Sequence, residues 1–143
     1  MQSFYVDTCV YLNLWKKEVE KKGNPLWLIA ERFFEKTKRD NSIIYYSGFL
    51  LKELMFILNT EEYLSKRELF DSSPRFKKTI LSKEEYREAQ KLKNISASDI
   101  SFFDILNIFS AKKTRSILIT RDKEIIELAR TLDVEVKKPE EVL

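Results

Sequence analysis

The sequence predicts an α/β fold, in which a mostly parallel sheet of four or five strands is covered by helices on both faces. Short β-rich runs alternate with longer stretches of helical periodicity along the chain. Strands separated by helix-length segments pair in parallel through crossovers, and those crossovers lay helices on the sheet. A chain of 143 residues, 43% apolar and 34% charged, suits a single domain spanning residues 1–143 with a real core.

Phe4-Tyr5-Val6 reads as the first strand, ending at Asp7, and helical spacing through Val10, Leu12, Leu14 and Trp15 follows at once. Gly23-Asn24-Pro25 marks a turn, with Pro25 expected in the first turn of a helix reaching residue 38. Residues 43–46 form a second buried strand, and Ser47 caps a helix that carries Glu53 to about residue 58. A more polar helix is expected over residues 61–70, then a short third strand over 77–81. Ser82-Lys83-Glu84-Glu85 is a capping-box pattern that opens a charged helix to residue 93. Residues 96–99 are expected to introduce the next helix, with Asp99 at its N-terminus and Asp104 inside it. That helix should run to residue 113. A strand over 116–120, a helix over 122–132, a strand over 134–136 and a Pro139 turn complete the chain.

Several chemistries are absent. Without histidine there is no Ser-His-Asp triad and no His-ligated zinc. One cysteine, Cys9, excludes an intramolecular disulfide and a CxxC site, and it fits a reducing cytoplasm. Two glycines cannot build a GxGxxG or Walker A loop. Asp7 interrupts the N-terminus before a signal-peptide core forms, and the longest apolar stretch, residues 43–58, is too short to span a bilayer. A cytoplasmic protein without membrane contact is expected. The net charge of +3 permits contact with a polyanion without demanding it.

Four acids stand inside or at the end of apolar segments: Asp7 in FYVD, Glu53 in FLLKELMFIL, Asp104 in FFDILNIF and Asp122 in ILITRD. Asp7 and Asp122 each fall at the carboxyl end of an expected strand, where parallel α/β sheets bind ligands. Yet Asp7 could equally cap the following helix, and Asp122, between Arg121 and Lys123, leans towards such a cap. Glu53 has only Phe49, Leu50, Phe56 and Ile57 at helical spacing, which favours function over a solvated position. Ser101, Asp104 and Asn107 draw a polar line along a Phe/Ile-rich helix. Converging carboxylates repel by about 4 kcal/mol per pair at ~4 Å and an effective dielectric of ~20. A hard divalent cation such as Mg²⁺ or Mn²⁺ relieves that repulsion through oxygen ligands.

In YVDTCVYLNL, SGFLLKEL, FFDILNIFSAKK, ILITRDKEIIELA and the closing PEEVL, the chain resembles the PIN-domain ribonucleases, including the VapC-like toxins of VapBC toxin–antitoxin pairs. The resemblance covers nearly the whole length. It implies a three-layer α/β/α sandwich of Rossmann-like topology and an acidic quartet of Asp7, Glu53, Asp104 and Asp122 holding one or two Mg²⁺ or Mn²⁺ ions. Thr8 and Thr120 match supporting hydroxyl positions. By the same likeness the chain is a metal-dependent endoribonuclease acting on RNA, a homodimer, and a possible partner of an antitoxin protein. A catalytically silent RNA- or protein-binding module and a housekeeping RNA-processing nuclease are the alternatives. The substrate-facing arginines of some relatives have no assigned counterpart, although Arg121, Lys112 and Lys113 lie near the proposed acids in sequence. A haloacid-dehalogenase-type phosphatase is disfavoured, because Cys9 stands where its second Asp belongs.

Overall fold

The computed structural model describes residues 2–96 and 99–143. In chain order it contains β1 (Ser3–Val6), α1 (Thr8–Trp15), α2 (Leu26–Arg39), β2 (Ile43–Ser47), α3 (Gly48–Ile57) and α4 (Thr60–Ser72). Then come β3 (Phe76–Thr79), α5 (Lys83–Ile95), α6 (Phe102–Thr114), β4 (Ile117–Ile119), α7 (Lys123–Thr131) and β5 (Val136–Lys137), with a 3-10 turn over Pro139–Val142. The strands lie in the order β3-β2-β1-β4-β5, and every neighbouring pair is parallel. After β1 the chain builds β2 and β3 on one side, then returns to add β4 and β5 on the other. Strand order therefore reverses between β1 and β4, where such sheets open a crevice beyond their carboxyl ends.

Period-two alternation divides the strand side chains between two cores. Phe4, Val6, Ile44, Tyr46, Ile117 and Ile119 point into one, against Val10 and Tyr11 of α1, Phe33 of α2 and Phe70 of α4. Tyr5, Leu118 and Val136 point into the other, against Ile105 and Ile108 of α6, Ala89 of α5 and Ile125 of α7. The three-layer sandwich follows from this alternation. Helix starts are set by local chemistry. Ser47 Oγ accepts from the Leu50 amide at 3.1 Å, and Asn59 and Ser82 close capping boxes with Glu62 and Glu85. Among the described residues, no helix is long and apolar enough to cross a membrane.

Boundaries differ from the sequence expectation where tertiary contacts decide them. Part of the expected start of α6 falls on residues 97 and 98, outside the described residues, and Asp99 is not helical. Ser101 is the N-cap, so Asp99 is not the helix N-terminus. The third strand begins at Phe76, whose ring packs 5.4 Å from that of Phe70. Pro25 is the N-cap of α2 rather than a first-turn residue. The last strand starts at Val136, because the Val134 amide donates back to the Ala129 carbonyl at 2.9 Å and closes the end of α7.

Candidate active site

Asp7 continues the β1 ladder one residue past the strand, its amide donating to the Ile119 carbonyl at 2.9 Å. It is the N-cap residue of α1 by position, yet its side chain makes no capping bond. Instead Oδ2 accepts from Thr120 Oγ1 at 2.8 Å and from Cys9 Sγ at 3.1 Å. The residue is only 4% exposed. Burial pushes its carboxyl up to about 6, Asp104 pushes the same way, and the Cys9 and Thr120 bonds oppose both. Capping does not account for this aspartate.

Glu53 comes from the second turn of α3, a helix packed on α1, α4 and α6. Thr8, next to Asp7, donates its hydroxyl to Glu53 Oε1 and so ties α3 to the start of α1. Partial burial pushes Glu53 up to about 7; Asp7 and Asp104 add to the rise, while Thr8 and the Asn107 side chain oppose it. Asp104 is the third residue of α6. Its amide donates to Ser101 Oγ at 3.1 Å, and its Oδ2 accepts from the Ser101 amide at 3.2 Å. Burial raises its carboxyl, Asp122 contributes, and the Ser101 bonds and the Lys93 ammonium oppose the rise. Asp122 is exposed and caps α7, with Oδ1 accepting from the Glu124 and Ile125 amides at 2.9 and 3.2 Å. The Thr120 hydroxyl bridges these two ends of the set, donating to Asp7 and accepting from the Asp122 amide at 3.2 Å.

Repulsion thus joins Asp7, Glu53 and Asp104 to one another, and Asp104 to Asp122. Among the described residues, no three His, Cys, Asp or Glu side chains stand so as to hold an ion as they are. Each carboxylate is turned onto a neighbouring hydroxyl, thiol or amide. By chemistry the donor set fits a hard divalent cation: the four carboxylates and the hydroxyls beside them offer oxygens, and burial resists the charge of Asp7, Glu53 and Asp104. Half-buried acids with raised pKa are what a cation would stabilise in ionised form.

Beneath the acids lies a polar floor that the sequence pattern hinted at only through Asn107. Tyr5 donates its hydroxyl to Asn107 Oδ1 at 2.7 Å and sits 2.7 Å from Ser47 Oγ, linking β1, β2 and α6. Asn107 is buried, and its Nδ2 has no bond of ordinary geometry, although the amide still favours the ionised Glu53. Burial holds the Tyr5 phenol well above its usual range. Tyr5→Phe should therefore destabilise the fold by about 1–2 kcal/mol, since Asn107 Oδ1 loses its donor in a dry site. Urea unfolding should show a lower midpoint at unchanged slope; an unaltered midpoint would mean the bond contributes nothing.

Of the basic residues that sequence proximity suggested, Arg121 and Lys113 are engaged elsewhere. Arg121 Nε donates to Asn13 Oδ1 at 3.0 Å, and its Nη1 pairs with Glu140 at 3.0 Å. Lys113 bonds the Ile80 carbonyl and Glu85, at 3.0 Å from the latter. Lys112 and Lys113 occupy the last turn of α6, roughly 12 Å along the axis from Asp104. A cation that acts on Asp104 is Lys93, whose Nζ donates to the Ile100 carbonyl at 2.8 Å. No motif marks it, because the last turn of α5 approaches α6 only through tertiary packing. The apolar stripe around Glu53 also divides: Leu50 is buried, whereas Phe56 and Ile57 face solvent.

The model of the PIN domain family matches residues 4–131. No curated protein matches the chain in sequence. Among solved structures it is similar to VapBC2 from Rickettsia felis bound to a promoter DNA fragment, with 18% identity, a TM-score of 0.67, and 96% of this chain and 98% of that chain covered. It is also similar to VapBC-1 from nontypeable Haemophilus influenzae, at 17% identity and a TM-score of 0.66 over 97% and 99% of the two chains. A third structure is VapC20 of Mycobacterium tuberculosis, described as a toxin that cleaves the sarcin-ricin loop, at 16% identity and a TM-score of 0.68 over 88% and 95%. These likenesses concern the fold, and the family match spans most of the chain: the protein belongs to the PIN domain family.

Proposed function

We propose that the protein is a cytoplasmic, metal-dependent endoribonuclease and the toxin of a toxin–antitoxin pair. The observation that carries this reading is Asp7, a carboxylate buried at the strand-order reversal, unused as a cap and repelled by Asp104. Family membership and the VapBC neighbours support the nuclease and antitoxin parts of the reading. In it, Asp7, Glu53 and Asp104 would hold a first Mg²⁺ or Mn²⁺, and Asp122 would help position a second ion or the attacking water. A divalent ion bound there supplies Lewis acidity and a more acidic water. The chain's own hydroxyls fix the carboxylates: Thr120 with the Cys9 thiol on Asp7, Thr8 on Glu53, and Ser101 on Asp104. Lys93 stands beside Asp104 as a cation for substrate phosphate. Hydrolysis adds water across the phosphodiester and leaves 5′-phosphate and 3′-hydroxyl ends. A second copy of the chain and an antitoxin protein are the expected partners.

The test is a Mg²⁺ and Mn²⁺ titration against structured RNA, with end-group analysis of the products. Wild type should cut with either metal and stop on chelation, and Asp104→Asn should lose at least about a hundredfold, more than the 10–100-fold loss typical of a mere outer-shell partner. Equal cutting by both proteins, or cutting that survives chelation, would reject the assignment.

A further inference from the structure

Phe56 lies one helical turn after Glu53 on α3, and it is 70% exposed. Its ring sits 6.4 Å from that of Phe103, inclined at 63°. Phe103 precedes Asp104 in the first turn of α6, so each of two site acids has a phenylalanine beside it. Lys52, also exposed, stands four residues before Phe56 and shares its face of α3. Single exposed apolar side chains are ordinary on soluble proteins. Two rings in contact, bordering a polar site and accompanied by a cation, form a combination that suits one nucleotide: the base stacks on a ring while a phosphate meets the ammonium.

We propose that Phe56, with Phe103 and Lys52, is a stacking platform for an unpaired base of the RNA next to the bond that is cut. The inference rests on the nuclease reading above and assigns a base-binding role to three residues outside the acidic set. A duplex keeps its bases stacked and offers no free face to the ring. A second copy of the chain is the competing occupant. Such a copy, itself of net charge +3, would bring like charge towards Lys52, whereas RNA brings phosphate.

The experiment first maps the wild-type cut in an RNA oligonucleotide, then supplies that oligonucleotide unpaired, duplexed, and with one abasic residue beside the cut. Wild type, Phe56→Ala and Phe56→Trp are compared, with light scattering for oligomeric state. Wild type should prefer the unpaired form. Phe56→Ala should lose roughly 5- to 150-fold in kcat/KM on it, mainly through KM, while Phe56→Trp retains activity. The abasic residue should lower wild type by a similar factor and add little further loss in Phe56→Ala. Unchanged kinetics in Phe56→Ala would overturn the platform and leave the nuclease reading intact. Equal losses on normal and abasic RNA, together with a dimer falling to monomer, would assign the surface to self-association instead. Absence of metal-dependent cutting by wild type would end both readings.

Discussion

Asp7→Asn should abolish RNA cleavage, by at least about a hundredfold in kcat/KM, without weakening the fold at neutral pH. Both halves follow from the same geometry. The carboxylate is 4% exposed and makes no capping bond, so the helix behind it does not depend on its charge. Asparagine keeps an oxygen to accept from Thr120 Oγ1 and removes a charge that burial and Asp104 both oppose. A structural aspartate behaves in the opposite way, losing stability when its charge is removed. If Asp7→Asn melts several degrees below wild type and retains its activity, the residue is a structural element and the active site lies elsewhere. Measuring melting and cleavage on the same preparation separates the two outcomes.

A second large effect should appear in the pH dependence of stability and in its reversal by metal. Asp7 moves from an ordinary 3.8 to about 6 on folding, and Glu53 from 4.5 to about 7. The folded state therefore binds these protons more tightly than the unfolded chain. Their stabilising contribution is complete below about pH 4 and is lost as the pH rises through 6 and 7. Asp7 alone corresponds to about 3 kcal/mol, at 1.36 kcal/mol per unit. For a chain of this size that is a fall in Tm on the order of 10 °C between pH 4 and 7.5 without divalent metal. Adding Mn²⁺ at a hundred times its Kd should return about 2.7 kcal/mol at pH 7.5, and much less at pH 5, where protons compete for the same oxygens. Asp7→Asn should flatten the pH profile and shrink the metal response. Melting curves that ignore Mn²⁺ at every pH would show that the acids do not share an ion.

Much of the fold was legible because alternation and capping are local. Phe4-Tyr5-Val6 and Ile43 through Tyr46 carry the pattern of strands buried on both faces, and Ser47 and Ser82 announce the helices they cap. The start of α6 was misplaced because Ser96, Asp99 and Ser101 are all plausible caps; the capping box between Ser101 and Asp104 selects the last. The acids were legible as apolar-flanked charges. Asp7, Glu53 and Asp104 act on one another's carboxyls and Asp122 on that of Asp104, yet among the described residues no three stand so as to hold an ion. The sequence left Asp7 open between cap and site and leaned towards a cap for Asp122. The structure divides them, giving Asp122 the cap and Asp7 the hydroxyl and thiol. Lys93 and the Tyr5–Ser47–Asn107 floor stayed hidden because their partners lie on separate elements, joined only when the sheet closes.

The place of β1 between β2 and β4 has a consequence for how the protein comes into being. Asp7 is made well before Ile119 and Thr120, which receive its amide and steady its carboxylate. At ordinary elongation rates the two are separated by on the order of 6–20 s. Throughout that interval the nascent polypeptide carries its first acid without the strand that positions it. On the proposed reading, the pocket that would cut RNA is therefore completed only once Thr120 has left the ribosome to join β1.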